Sequence, residues 1–386
     1  MKRVLFVASV ASMIGRFNIP SIKILRDLGY EVDVACNFKD YGLYSEKELK
    51  ELKDSLKKLN VNFFQIDFTR SIFNFGSHVR AYKQVKKLTK ENHYDFIHCH
   101  TPIGGVVGRL IGYNFKIPVV YTAHGFHFFK GGPLLSWILF FPIEKLLSYI
   151  TYMIITINKE DYILAKNKLN SKETKYIPGV GFSLNRFQNI KISKSEKRME
   201  LGIPQDSFCL LSVGELAARK NHQVVIKALG EIKDPSIYYI IAGIGDDYIY
   251  YKSLINDNNL VKNVFLLGER TDIEELCQAA DVFVHPSIRE GLGIAPLEAM
   301  ATGLPLISSY VNGIKDYTED NYTGICIKNP KSIEEMKNAI VRMKTDEGLR
   351  ISAGQNNRKI AQKFSLSNSN TEIKKIYSFI SEKLQK

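Results

Sequence analysis

The chain has little that would staple it together or anchor it. Its five cysteines, at 36, 99, 209, 277 and 326, form no C-x-x-C pair and follow no regular spacing. That excludes a disulfide framework and a cysteine zinc site, and reads as small buried hydrophobes in a reducing compartment. Neither D-x-D nor H-E-x-x-H occurs, so the usual short signals for a divalent ion are missing. No apolar run reaches the ~20 uninterrupted residues of a spanning helix. The longest, "GGPLLSWILFFPIEKLLSYITYMIITI" at 131–157, carries Pro142, Glu144 and Lys145 near its centre. It reads as a buried or interfacial helix, a break at Pro142, a second helix and a strand. The start, "MKRVLFVASVASMIGRF", is basic and then apolar, but Gly15 and Arg16 interrupt it, so a first buried strand is expected rather than a leader peptide. No internal repeat or low-complexity segment occurs.

Acidic residues are scarce in the first half. Residues 1–190 carry 27 basic and 15 acidic side chains against 26 and 25 in the remainder, so nearly all of the net +13 sits N-terminally. Nucleic acid, an anionic membrane surface, a phosphate-bearing lipid or a merely solvated lysine-rich surface would each fit such a half. The absence of an aromatic-basic recognition motif weighs against nucleic acid. "SHVRAYKQVKKLTKEN" at 77–92 places Arg80, Lys83, Lys86, Lys87 and Lys90 on one predicted helix after the aromatic "FNF" at 73–75. Such a helix either lies on an anionic bilayer or presents a solvated face.

What is present is an ordinary globular composition, 45% hydrophobic and 24% charged, long enough for two domains. Short apolar runs alternate with helical patterns throughout: "RVLFVAS", "EVDVAC", "FIHCHT", "VVYTAH" and "MIITIN", then "CLLSVG", "YYIIAG", "VFLLG", "VFVHPS", "PLISS" and "GICI". This is the pattern of α/β architecture, two doubly wound parallel sheets, whose ligands gather beyond the carboxyl ends of the strands. Gly, Pro and Asn accumulate before a charged run near 185–195, which places the domains at 1–190 and 191–367. The tail, 368–386, is predicted as a helix with Ile373, Ile376, Phe379 and Ile380 on one side.

The chemistry should follow the strands of the second half. "LLSVGELAARKNHQVVIKAL" at 210–229 runs from strand to Gly214, then Arg219 and Lys220 at a helix start, which suits a diphosphate or leaves two solvated cations. "IIAGIGD" puts Gly243 and Gly245 in a tight turn, too little for a dinucleotide fingerprint. Arg270, after Gly268, either edges a nucleotide base or is surface. "HPSIREGLGIAPLEAMATGLP" at 285–305 sets Glu290 in a loop with Gly291, Leu292, Gly293 and Ile294, Pro296 early in a helix and Glu298 one turn in. Loop amides and a helix N-terminus there suit one small anionic or polyhydroxylated ligand. In the first half His98 and His100 share a strand face, and His124 and His127 follow another strand. A metal cluster is one reading of these; structural histidines, for His98 and His127, are the better one.

"EGLGIAPLE", with "FVHPS" before it and "AMATGLPLISS" after it, together with "SVGEL", "IIAGIGD" and "LLGERTDIEELCQAADVFVHPS", resembles the signature of retaining glycosyltransferases of family 4, of the GT-B fold. "YDFIHCHTPIGGVVGRL", "VVYTAHGFHFF" and "YIPGVG" are similar to the branch that builds bacterial capsule and exopolysaccharide. The resemblance implies two Rossmann-like domains facing across a cleft, with the last helix crossing back to the first. It implies a cytoplasmic enzyme, with peripheral attachment to the inner face of the membrane as an option. The donor would be a nucleotide sugar, UDP-N-acetylhexosamine or UDP-hexose, and the acceptor a polyprenyl-diphosphate-linked saccharide, with no metal and no cofactor. Glu290 would contact the donor sugar or support the reacting centre, Glu298 would hold the ribose, the amides of 291–294 the hydroxyls and phosphate, and Lys220 the diphosphate. Gly214, Arg219, Gly243, Gly245 and Arg270 complete the expected donor set. His124 would face the sugar, and Gly15, Arg16 and His100 would meet the acceptor. Two departures stand out: Glu215 where the family usually has arginine, and a first loop, with Ser12 and Met13, poorer in glycine. Rival readings are a UDP-sugar epimerase of the same architecture and a non-catalytic sugar-nucleotide-binding protein.

Overall fold

The computed structural model describes residues 2–40, 44–69, 71 and 74–384. Two compact units emerge, residues 1–180 with 369–386, and residues 181–368.

The first unit is built on seven parallel strands: β1 (Lys2–Val7), β2 (Tyr30–Cys36), β3 (Asn62–Gln65), β4 (Phe96–His100), β5 (Val119–Ala123), β6 (Met153–Thr156) and β7 (Glu173–Tyr176). Their order is β3-β2-β1-β4-β5-β6-β7. Helices cover both faces, so the central strands are buried throughout and read as continuous apolar runs. Val4 pairs with Val32 on one side and Phe96 on the other, and Val4 to Val7 are fully buried. β3 and β7, the two edges, are half-buried mixtures such as "ETKY" that carry no apolar run, and the sequence pattern does not announce them.

Three local features differ from expectation. Gly15 does not lie in an open loop: the chain turns helical at Ala11, passes through a π-turn at Ile14–Asn18 and continues to Asp27. A Cβ on Gly15 would fall 2.1 Å from the Tyr44 hydroxyl, so any larger residue would require the Tyr44 ring to shift. Nor does Pro142 break its segment, because one helix spans Leu134–Ser148 with Pro142 inside. Proline forfeits one hydrogen bond there, and the bidentate pair of Arg109 with Glu144, at 2.7 and 3.0 Å, ties the helix down just beyond it. Third, the polar run near 185–195 is not a linker. The boundary falls at 180/181, and helices Leu184–Gln188 and Lys194–Glu200 belong to the second unit. The charges that mimic a linker are buried: Lys197 meets Asp272, Glu275 and Glu200, and Arg198 donates to Asp281 and to the carbonyls of Ala279, Gln205 and Ser207.

The second unit holds β8 (Phe208–Val213), β9 (Ile237–Ala242), β10 (Val264–Gly268), β11 (Val282–His285), β12 (Leu306–Ser309) and β13 (Gly324–Ile327). All are parallel, in the order β10-β9-β8-β11-β12-β13. The strand order reverses between β8 and β11, and in the first unit between β1 and β4; these are the switch points at which open α/β sheets bind ligands. Helix Leu366–Leu384 joins the first unit from Ser369 onward, burying Ile373, Ile376, Tyr377 and Ile380 there. Four cysteines are buried and Cys326 is half-buried, all unpaired with one another.

Candidate functional site

The loops that leave β8 and β11 meet at the switch point of the second unit. The first ends in a 3-10 turn, Ala218–Lys220, after which Asn221 adopts a left-handed backbone (φ 57°) before helix His222–Ile232. The buried Asn221 amide donates to Pro286 O at 3.1 Å and Pro330 O at 2.7 Å, and Ile288 N donates to Arg219 O at 2.9 Å, so the two loops move as one. Lys220 Nζ thereby lands 2.5 Å from Glu290 Oε2. His285 Nε2 is 3.7 Å from the same oxygen and Arg219 4.0 Å.

Burial pushes the Glu290 carboxyl up, but the charges beside it, Lys220 first and then Arg219, outweigh it and hold the group below its ordinary range. His285 goes the other way. Burial and then Lys220 bring it down to about 3, so it is neutral, and its buried Nε2 has no hydrogen-bond partner. The site therefore holds a fixed cation, a fixed anion and an unsatisfied imidazole nitrogen on one small surface.

Gly293 caps the following helix, Ile294–Thr302, at φ +84°. A Cβ there would sit about 3.1 Å from both Glu290 Cγ and His285 Nε2, so glycine is required by backbone and space alike. Gly293 brings no side-chain cap, which leaves first-turn amides and the positive end of the helix dipole for a ligand. Tyr317 donates to Leu292 O at 2.9 Å, and Gly313 packs its Cα against Gly291 O so closely that a Cβ would lie 2.0 Å away. Glu298, near the start of that helix, is raised to about 7 by burial, with Arg186 opposing and Glu274 reinforcing the shift.

The remaining candidates of this unit have other neighbours. Gly214 and Gly243 let two strand ends touch: a Cβ on Gly243 would fall 1.8 Å from Gly214 O, and one on Gly245 2.4 Å from Leu216 O. Arg219 pairs with Glu215 at 2.6 Å. Arg270 is held by Asp272 and Glu200, beside the buried Lys197.

In the first unit the histidines form a chain. His98 is satisfied at both nitrogens, by Tyr377 Oη at 2.9 Å and Thr122 Oγ1 at 2.8 Å. His100 Nδ1 faces His124 Nε2 at 3.2 Å, while His100 Nε2 is buried without a partner. Burial keeps all three neutral, with His98 lowered to about 3 and His124 to about 4. They line a cavity of about 20 Å³ with Phe17, Asn18 and Ser369, room for about one water. His127 lies against Phe140. Arg16 stands over the Tyr44 ring and 3.8 Å from Glu48. Thr101, at the β1/β4 switch point, holds φ 66° and takes a hydrogen bond from Ser9 N at 3.1 Å. Among the described residues no group of three His, Cys, Asp or Glu is placed to hold a metal ion.

Sequence reading singled out Lys220, Glu290 and Glu298 but not His285, Asn221, Tyr317, Arg186 or Thr101 as part of the site. Their roles depend on which loops become neighbours. The "KN" dipeptide, with asparagine suited to a left-handed turn, was the one local signal available for Asn221.

The family "Glycosyl transferases group 1" matches residues 193–360, and "Glycosyl transferase 4-like" matches residues 3–158. The chain is 35% identical over 384 residues to the putative glycosyltransferase EpsD of Bacillus subtilis, covering 98% of this chain and 96% of that protein. It is 28% identical over 376 residues to the UDP-Gal:alpha-D-GlcNAc-diphosphoundecaprenol alpha-1,3-galactosyltransferase of Escherichia coli, covering 95% and 93%. Among solved structures, Anabaena Alr3699/HepE in complex with UDP shares the fold at TM-score 0.77 and 21% identity, covering 98% of this chain and 100% of that one.

Proposed function

The chain belongs to the group 1 glycosyl transferases of GT-B fold, and on that premise we propose that it is a retaining enzyme moving a sugar from a UDP-linked donor, an N-acetylhexosamine or a hexose, to a saccharide on a polyprenyl diphosphate. Synthesis of a lipid-linked saccharide or exopolysaccharide is the setting that the names of the relatives support. The observation that carries the reading is the Lys220–Glu290 pair beside an uncapped helix N-terminus at the β8/β11 switch point.

In this reading the donor diphosphate displaces Glu290 as the partner of Lys220 and takes the first-turn amides of helix 294–302. Glu290, released, accepts hydrogen bonds from donor sugar hydroxyls. Glu298 accepts from the ribose diol. As the bond from the anomeric carbon to the phosphate oxygen stretches, charge grows on the phosphate, where Lys220 and the helix end are already aimed. The acceptor oxygen bonds to the same face of the anomeric carbon, and its proton passes to the leaving phosphate oxygen. We assign the leaving-group charge to these side chains and amides without a metal ion. To the first unit we assign the acceptor, through Gly15, Arg16 and His100, and a neutral His124 that donates or accepts one hydrogen bond with a sugar hydroxyl.

A polyprenyl acceptor lies in a bilayer, so the enzyme works at that surface as a peripheral protein. No helix among the described residues is long and apolar enough to cross a membrane. The test is nucleotide release from a panel of UDP- and GDP-sugars with and without a polyprenyl-diphosphate saccharide. Acceptor-dependent UDP release supports the reading. Interconversion of a UDP-sugar without acceptor would make the chain an epimerase, and donor binding without turnover a binding protein.

A further inference from the structure

Helix 134–148 is apolar on both sides, the inner and the outer. A surface helix of a globular protein ordinarily buries its apolar stripe and shows its charges to water. Here the acid of the helix, Glu144, is buried against Arg109, whose guanidinium also lies 4.2 Å over the Tyr121 ring. Trp137, Phe140 and Phe141 pack inward on the core of the first unit, and a second set of apolar residues points outward. Leu134, Leu135, Ile138, Leu139, Ile143 and Leu146 recur at helical spacing, and the first and last are 74% and 70% exposed. Pro142 continues the stripe on the same exposed side.

The segment around the helix is basic, with Glu160, which accepts from Lys130 N, the first acid beyond it. From Thr101 to Asn158 the sequence holds a single acid, the buried Glu144, against Arg109, Lys116, Lys130 and Lys145. Where the helix ends, Tyr113, Tyr149 and Tyr152 with Lys116 and Lys172 line a shallow groove of about 570 Å³. Aromatic rings with a polar tip and lysines on flexible stems are the side chains that settle at the level of lipid headgroups. Helix Phe75–Glu91 separately exposes Phe75, Val79, Arg80, Lys83 and Lys87. Phe73 of the "FNF" run lies outside the described residues.

We infer that the outward face of helix 134–148 is a docking surface for an anionic lipid bilayer, into which its leucines and isoleucines insert while the flanking lysines meet the headgroups. Fifteen residues of helix rise about 22 Å, short of a span but ample for a helix lying in the interface plane. The charge favours a bilayer over a second copy of this chain as the occupant: the one carboxylate between residues 101 and 158 is buried, so two such helix faces would set lysines against lysines with no exposed acid from that segment between them. The inference rests on the lipid-linked acceptor only for its purpose. The surface itself is read from exposure and charge.

The test is sedimentation with sucrose-loaded vesicles of phosphatidylglycerol and phosphatidylcholine, without donor or acceptor. Wild type is expected to bind, and Leu135→Glu with Leu139→Glu to bind at least about tenfold more weakly, because insertion is blocked and charge repulsion added. Both positions are exposed, so the variant keeps its fold, checked by an unchanged melting temperature. Trp137, the one tryptophan of the chain, lies on this helix. Its indole is half-buried on the inner side, donating to Phe129 O at 3.1 Å, so its emission should be partly quenched by brominated phosphatidylglycerol in wild type and not in the variant. Binding that survives the double substitution, or that is lost only on reversing Lys83 and Lys87, would overturn the assignment. So would a wild-type dimer that the substitution dissolves and that ignores vesicles. Because no sugar is transferred in this assay, its failure and that of the transferase reading are separable.

Discussion

Lys220 Nζ lies 2.5 Å from Glu290 Oε2, although the two residues come from loops on either side of a reversal in strand order. Backbone hydrogen bonds and Asn221 join the two loops, so the pair is present before a ligand arrives. If it serves a departing diphosphate, Lys220→Ala should lower kcat by roughly 10²–10³ with a smaller effect on donor KM, in line with loss of one donor to developing charge. Lys220→Arg should recover part of the loss. A raised donor KM with kcat unchanged in both variants would place Lys220 in ground-state binding alone.

Glu298 supplies a pH dependence. In the folded protein it keeps its proton up to about 7, whereas an unperturbed glutamic acid loses it near 4.5. The folded state thus binds more protons between those values, and stability falls as pH rises through that window, by something on the order of 1 kcal/mol after solvent screening. Glu298→Gln should therefore match wild type at pH 4.5 and exceed it at pH 8 in thermal melts. A ribose diol favours the ionised form, so UDP should bind more tightly at pH 8 than at pH 6 by calorimetry, with protons released. The variant should bind weakly with no such dependence.

Glu215 competes for Arg219 at 2.6 Å. Removing that carboxylate frees the guanidinium for phosphate, and an exposed pair of this kind is worth about 0.2–1 kcal/mol. Glu215→Gln should accordingly lower donor KM by about two- to fivefold. An unchanged or raised KM in steady-state kinetics would show that Arg219 does not reach the diphosphate.

Arg109 and Glu144 form a bidentate buried pair that fixes helix 134–148. Leaving one charge alone in the interior costs about 3–5 kcal/mol, whereas replacing both by apolar side chains is often nearly neutral. Arg109→Met should lower the denaturation midpoint strongly, and Arg109→Met with Glu144→Leu should restore most of it.

The α/β pattern was legible because central parallel strands are buried on both faces and leave continuous apolar runs, as in "RVLFVAS" and "CLLSVG". β3 and β7 escaped for the complementary reason, being edges with one wet side. Glu290 and Glu298 were legible because local glycine and helix-start signals surround them. The unit boundary was misplaced because Lys197 and Arg198 look solvated in sequence, and only the positions of Asp272 and Asp281 in space bury them. Helix 134–148 was read as buried or broken because apolar content alone does not say which side faces water. His285 became part of the site through a neighbour, Glu290, that no spacing rule specifies.

The most direct test of the retaining assignment is the anomeric configuration of the product, read by NMR after transfer from an α-linked UDP-sugar to the lipid-linked acceptor. Transfer to the same face of the sugar, as the Lys220–Glu290 site is assigned here, gives an α-linked product whose formation is abolished or nearly so in Glu290→Gln. A β-linked product would contradict it.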